Sequence, residues 1–211
     1  MTQIFPQLVI PETLAAGPGP GNTDPRVLER FAASGVADHM QKDVLRGMLE
    51  AKKMLRELWG TKNVYTYGVA GTGFSGLDCV LSLILPGDKV VCFPNGTFSG
   101  IDTLTIRMKA STAEELAADS LNPKPKSVIV VDTPHGQSVS GETIDKALAE
   151  HKPMFAFMAH WETGSGRING LKGFSDACLK HGVMGICDAV SSLGVADFNI
   201  DDYPGVVAWA S

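Results

Sequence analysis

No cluster of basic residues occurs in the chain, and 18 Lys and Arg are outnumbered by 23 Asp and Glu, for a formal net charge of -5. Nucleic acid and anionic membrane both attract basic surfaces, so binding to either is not expected. Long hydrophobic runs are missing too; none approaches the roughly 20 residues of a membrane-spanning helix. The first residues, Met1-Thr2-Gln3-Ile4-Phe5-Pro6, lack a basic stretch leading into an apolar one, so no secretory signal is expected. Cysteine is scarce: Cys79, Cys92, Cys178 and Cys187 form no C-x-x-C pair and stand in apolar surroundings. They read as reduced core thiols, which favours a cytoplasmic protein. H-x-x-x-H is absent, and His135, His160 and Asp188 lie on separate segments, so no metal is expected. A G-x-G-x-x-G followed by an acid about 20 residues later is absent as well, which speaks against a plain dinucleotide site.

The chain does contain a repeated alternation of short apolar runs and amphipathic stretches, in 211 residues of which 44% are hydrophobic. That length buries a substantial core. Residues 1–25, with Pro6, Pro11, Pro18, Pro20 and Pro25 among Gly17, Gly19 and Gly21, are expected to form an extended arm and a Gly/Pro loop. Residues 26–211 are expected to form one partial large domain. Thr23-Asp24-Pro25 suggests a helix start with proline in the first turn. A longer helix is expected from Asp38 to Trp59, stopped by Gly60.

Strands are expected over residues 64–70, 89–93, 126–132, 154–159, 183–188 and 205–210, and helices over 77–85, 101–109 after a loop at 94–100, 142–151 and 171–181. Strand and helix alternate, which predicts a three-layer α/β/α fold with a mostly parallel sheet. In such sheets ligands bind outside the carboxyl ends of the strands. Asp188 closes one strand and is followed at once by Ala189-Val190-Ser191-Ser192, so its carboxylate is expected to face that crevice; a turn or helix cap is the plainer alternative. Gly71-Thr72-Gly73-Phe74-Ser75-Gly76 leads into a helix, where free N–H groups and the helix dipole favour an anion. Four such segments, 71–75, 95–98, 160–166 and 188–192, supply glycines, hydroxyls, aromatic rings and one carboxylate. Those parts suit a phosphorylated aromatic heterocycle whose ring nitrogen is kept protonated by a neighbouring anion.

At this point the sequence resembles the class V, fold-type I pyridoxal phosphate aminotransferases of the alanine–glyoxylate and serine–glyoxylate group. The segments that carry the resemblance run in order: Ala16-Gly17-Pro18-Gly19-Pro20, Trp59-Gly60-Thr61-Lys62-Asn63, Gly71-Thr72-Gly73, Pro86-Gly87-Asp88-Lys89-Val90, Asn95-Gly96, the stretch from His160 to Gly166, and Asp188-Ala189-Val190-Ser191-Ser192-Leu193-Gly194. The resemblance implies a pyridoxal 5'-phosphate site in the large domain of that fold. Thr72 and Gly73 would hold the phosphate, Phe74 and Val190 would flank the ring, Thr163 would bond near the ring oxygen, and Asp188 would pair with the pyridine nitrogen. Phe98 and Gly19 would lie on the substrate side. Relatives often carry His where Phe74 stands; a phenyl ring stacks but relays no proton.

The activity implied is transfer of an amino group from a small amino acid, serine or alanine, to glyoxylate or a related 2-oxo acid, by a homodimer. In the family the Schiff-base lysine follows the strand that here ends at Trp209-Ala210-Ser211, and no lysine of this sequence matches it. The 211 residues alone, without that lysine and the small C-terminal domain, are therefore expected not to turn over. A lyase such as a cysteine desulfurase and a non-catalytic cofactor-binding fragment are the alternatives.

Overall fold

The computed structural model describes residues 11, 13–15, 19, 21–32 and 38–211. Most of the expected Gly/Pro arm lies outside them. The chain divides into two compact units, residues 1–44 and 45–211. In the first, helix α1 (Pro25–Ala32) begins at proline, and Asp24 caps it by accepting the Arg26 N–H at 2.8 Å.

Helix α2 (Lys42–Trp59) starts four residues later than its apolar period suggests, because Asp38 draws the chain into a turn, accepting the Met40 N–H at its side chain and the Gln41 N–H at its carbonyl. It stops at Gly60, whose φ of 59° suits a residue without Cβ. The strand expected over residues 64–70 does not form. Asn63 takes the Tyr65 N–H on its side chain and the Thr66 hydroxyl on its carbonyl, so local turn bonds replace a ladder.

The second unit is built on a five-stranded parallel sheet: β1 (Val90–Cys92), β2 (Val128–Val130), β3 (Phe155–Ala159), β6 (Met184–Asp188) and β7 (Val206–Ala210), in the order β2-β1-β3-β6-β7. Its helices are α3 (Gly73–Leu81), α4 (Thr97–Ala110), the short α5 (Ala113–Ala118), α6 (Gly141–His151) and α7 (Leu171–His181). A small antiparallel pair, β4 (Trp161–Glu162) with β5 (Arg167–Ile168), rises where a plain loop is expected. Two residues per strand leave no periodicity to read.

Alternation along the strands separates two cores. Val91, Phe93, Ala156, Met158 and Cys187 pack on one face with Ile144 and Leu148 of α6 and Phe174 and Cys178 of α7. Val90, Cys92, Phe155, Phe157 and Ile186 pack on the other with Leu77 and Leu81 of α3 and Ile106 of α4. Burial on both faces explains why these strands read as continuous apolar runs. The result is the three-layer α/β/α fold. The chain runs from β1 outward to β2 and then back across to β3, so the direction of winding reverses between β1 and β3. Crevices open at such reversals, outside the carboxyl ends of the strands.

Candidate functional site

Asp188 is the last residue of β6 and is 6% exposed. Its Oδ1 accepts the Val190 N–H at 2.8 Å, a short local bond that aims the carboxylate across its own loop. Burial pushes its pKa up to about 6, opposed by the hydrogen bond from Val190 and by contact with the Asp102 carboxyl and reinforced by the charge of Glu162. An unpaired carboxylate in such a place favours a cation beside it, which would restore its charge.

The N-terminus of α3 meets this loop. A Cβ added at Gly73 would stand 3.0 Å from Cγ2 of Val190, so glycine permits the approach. Thr72 occupies the N-cap, yet its side chain makes no capping bond, which leaves its hydroxyl uncommitted to the helix. The first N–H groups of a helix have no partner within it, so Gly73 and Phe74 present donors there. Phe74 and Val190 are both part-exposed, at 47% and 37%.

The loop after β3 joins the cluster through Thr163, whose hydroxyl bonds that of Ser191. His160, one residue past β3, donates its backbone N–H to the Asp188 carbonyl at 2.8 Å, and its Nδ1 shares a 2.9 Å hydrogen bond with the Ser192 hydroxyl. Burial pushes the His160 imidazole down to about 4, so the ring is neutral. Phe198 lies edge-on to it, with centroids 4.8 Å apart.

Phe98 enters through Glu162, which is fully buried. Glu162 accepts the N–H of Phe98 at 3.1 Å, the N–H and hydroxyl of Ser99 at 2.9 and 2.6 Å, and the N–H of Gly164 at 3.0 Å. Burial works against its ionised form, but the bonds from Ser99, Gly164 and Phe98 together outweigh it and hold its carboxyl below the usual range. The negative charge sits against the first turn of α4, where the helix dipole favours it.

The structure thus brings Thr72, Gly73, Phe74, Phe98, Thr163, Asp188 and Val190 to one edge of the sheet. Gly19, the other substrate-side candidate, belongs to the N-terminal unit and has φ 137°. Two buried polar residues that hold the site together carried no individual expected role. Glu162 stood in plain view between two loops, and Asn169, 1% exposed, ties three segments by donating to the Ala159 carbonyl and accepting from the Val139 N–H and the Asn95 amide. In the sequence Glu162 was marked only as a member of the 160–166 segment, and Asn169 only as a polar residue near an apolar strand.

No family model matches the chain. Individual relatives do. It is 31% identical over 197 residues to rat alanine–glyoxylate aminotransferase, covering 92% of this chain and 43% of that protein. It is 31% identical over 198 residues to the (S)-ureidoglycine–glyoxylate transaminase of Bacillus subtilis, covering 93% and 44%. The crystal structure of the ureidoglycine–glyoxylate aminotransferase from Bacillus subtilis superimposes with a TM-score of 0.82 at 30% identity, over 94% of this chain and 47% of that one. Its relatives and structural neighbours over most of its length are thus glyoxylate aminotransferases of the class V, fold-type I pyridoxal phosphate aminotransferase family. The Nostoc sp. alanine–glyoxylate aminotransferase of that family matches with a TM-score of 0.80 at 28% identity, covering 95% of this chain and 49% of that one. The chain spans about half the length of the family members it matches.

Proposed function

We propose that the protein of which these residues form the large-domain core is a pyridoxal phosphate-dependent aminotransferase that passes an amino group from a small amino acid, alanine or serine, to glyoxylate or a related 2-oxo acid. The observation that carries it is the convergence, at one sheet edge, of a buried carboxylate and an uncapped helix N-terminus, in a chain similar over nine-tenths of its length to glyoxylate aminotransferases.

The residues present fit the cofactor. Gly73 leaves room against Val190 that a Cβ would fill, and the buried Asp188 carboxylate calls for a positive partner. Pyridoxal phosphate, when bound, supplies an electron sink for the electrons freed at the substrate α-carbon. Asp188 would sit beside the ring nitrogen and hold a proton on it by its negative charge. The Thr72 hydroxyl and the N–H groups of Gly73 and Phe74 would bind the phosphate. Phe74 and Val190 would enclose the ring, Thr163 would bond near its oxygen, and Phe98 would border the substrate.

We further propose a homodimer and a cytoplasmic location. Exposed Tyr65, Tyr67, Val69 and Phe74 support the first, since apolar groups beside a site favour a covering partner. Four free thiols, three of them buried, support the second. The test is amino transfer by the purified full-length polypeptide with alanine or serine as donor and glyoxylate as acceptor. Formation of glycine and the matching 2-oxo acid, dependent on added pyridoxal phosphate, is expected. Elimination of the donor side chain without glycine formation would contradict the proposal.

A further inference from the structure

Asp102 touches the site only through Asp188. It lies in the second turn of α4, facing inward, 2% exposed. Its Oδ2 is sealed from solvent and, among the described residues, receives no hydrogen bond from any donor group. The group that faces it is the Asp188 carboxyl, close enough to exchange a hydrogen bond, and the Glu162 charge lies near both. Two ionised carboxylates in contact and out of water would each lose hydration and repel one another, so the pair is stable only if one member keeps a proton.

The donors decide which member that is. Asp188 already accepts the Val190 N–H, and Glu162 accepts four hydrogen bonds, whereas the enclosed oxygen of Asp102 accepts none. A carboxylate without donors is the most costly of the three to ionise, and a carboxylic acid in its place has an O–H to give. Burial first, and then the charge and contact of Asp188, push the Asp102 carboxyl up to about 8.

We propose that Asp102 is a positioning residue: a neutral carboxylic acid that donates its proton in a hydrogen bond to Asp188, so that Asp188 alone carries the charge and is held in one orientation toward the cleft. Its purpose rests on the cofactor reading given above; the proton-sharing pair itself does not. The remaining titratable groups near it are the Cys92 thiol of β1, which burial pushes up to about 12, and Glu162 of β4. Asp78 of α3 and Lys109 at the far end of α4 pair with each other at 2.7 Å.

The pair is tested on the full-length polypeptide without cofactor. The infrared spectrum at pH 7 should contain the carbonyl stretch of a protonated carboxyl group, and Asp102→Asn should remove it. The native state keeps a proton on Asp102 that an unfolded Asp loses near pH 4, so this residue makes stability fall as pH rises from about 4 to 8. The wild-type thermal midpoint should therefore fall, relative to that of Asp102→Asn, by on the order of 5 °C between pH 5 and pH 8.

A merely space-filling role would move neither readout. Asparagine keeps the shape and one donor, so pyridoxamine 5'-phosphate should bind Asp102→Asn within about threefold of wild type, and Asp102→Ala about tenfold more weakly. Persistence of the infrared band in Asp102→Asn, or midpoints of the two proteins that run parallel from pH 5 to pH 8, would overturn the proposal. A band and pH profile as expected, with no saturable binding of pyridoxamine 5'-phosphate, would uphold the pair and overturn the cofactor reading instead.

Discussion

His160 sits one residue past β3, where its backbone N–H closes the ladder to Asp188 and its ring is enclosed between Ser192 and Phe198. Its ordinary value of 6.5 is lowered to about 4 by burial. Unfolded chains take up this proton as pH falls through 6.5, while the native protein refuses it until about pH 4, so stability is complete above 6.5 and is lost between those limits. Asp102 has the opposite slope, because its native form binds the extra proton. Replacing His160 with Phe keeps an aromatic ring against Phe198 and removes both the titration and the bond to Ser192. We expect a cost of about 1 kcal/mol at pH 7.5 and a flatter acid limb, both read from thermal melts at a series of pH values. Neither residue's protonation could be read from the sequence. Asp188 closing an apolar strand was visible there, because its position depends on local pattern, but a proton shared with Asp102 depends on a helix 86 residues earlier folding over the sheet.

Two elements are fixed in place by single side chains. Glu162 holds the first turn of α4 to the loop after β3 through three hydrogen bonds, with a fourth from Gly164 of its own loop, and the added Cβ of an alanine at Gly96 would collide with it. Glu162→Ala would strand buried donors at Phe98, Ser99 and Gly164, at a cost of about 3 kcal/mol in denaturant unfolding. Because the Glu162 carboxyl is held below its usual range, its contribution is present at neutral pH and disappears as pH falls through the native value. Gly205, just before β7, plays a different part. Its N–H donates to the Ser175 hydroxyl at 3.0 Å, and a Cβ there would run into the Ser175 carbonyl oxygen, which is backbone and has nowhere to retreat. Gly205→Ala is expected to cost about 3 kcal/mol and to loosen the pairing of β7 with β6, measured by hydrogen exchange at the Gly185 N–H, which donates to the Gly205 carbonyl.

Long elements were legible because their apolar pattern extends over several turns or a whole buried strand; α7 and α6 match expectation to within a residue. The hairpin of β4 and β5 was not, since two residues per strand encode no period. Residues 64–70 were misread for a related reason. Tyr, Thr and Val gave that segment strand character, but among the described residues no strand takes up its backbone, and Asn63 supplies turn bonds instead.

For the molecule as a whole, the parallel sheet and its two helical layers bring segments from residue 72 to residue 192 to one edge. The sheet order reverses between β1 and β3, and the loops that follow those strands carry Phe98 and Thr163 to the same cleft as Asp188. The fold was legible from the alternation of strand and helix. The cleft was legible only as a set of strand ends, because cross-loop bonds such as Thr163 to Ser191 and Glu162 to Phe98 join residues far apart in sequence. Equilibrium titration of the full-length polypeptide with pyridoxamine 5'-phosphate, beside the same titration of Asp188→Ala, tests the cofactor site most directly. Saturable binding to one site, weakened tenfold or more, about 1.4 kcal/mol, by Asp188→Ala is the expected result. Absence of saturable binding, or equal affinity in the two proteins, would contradict it.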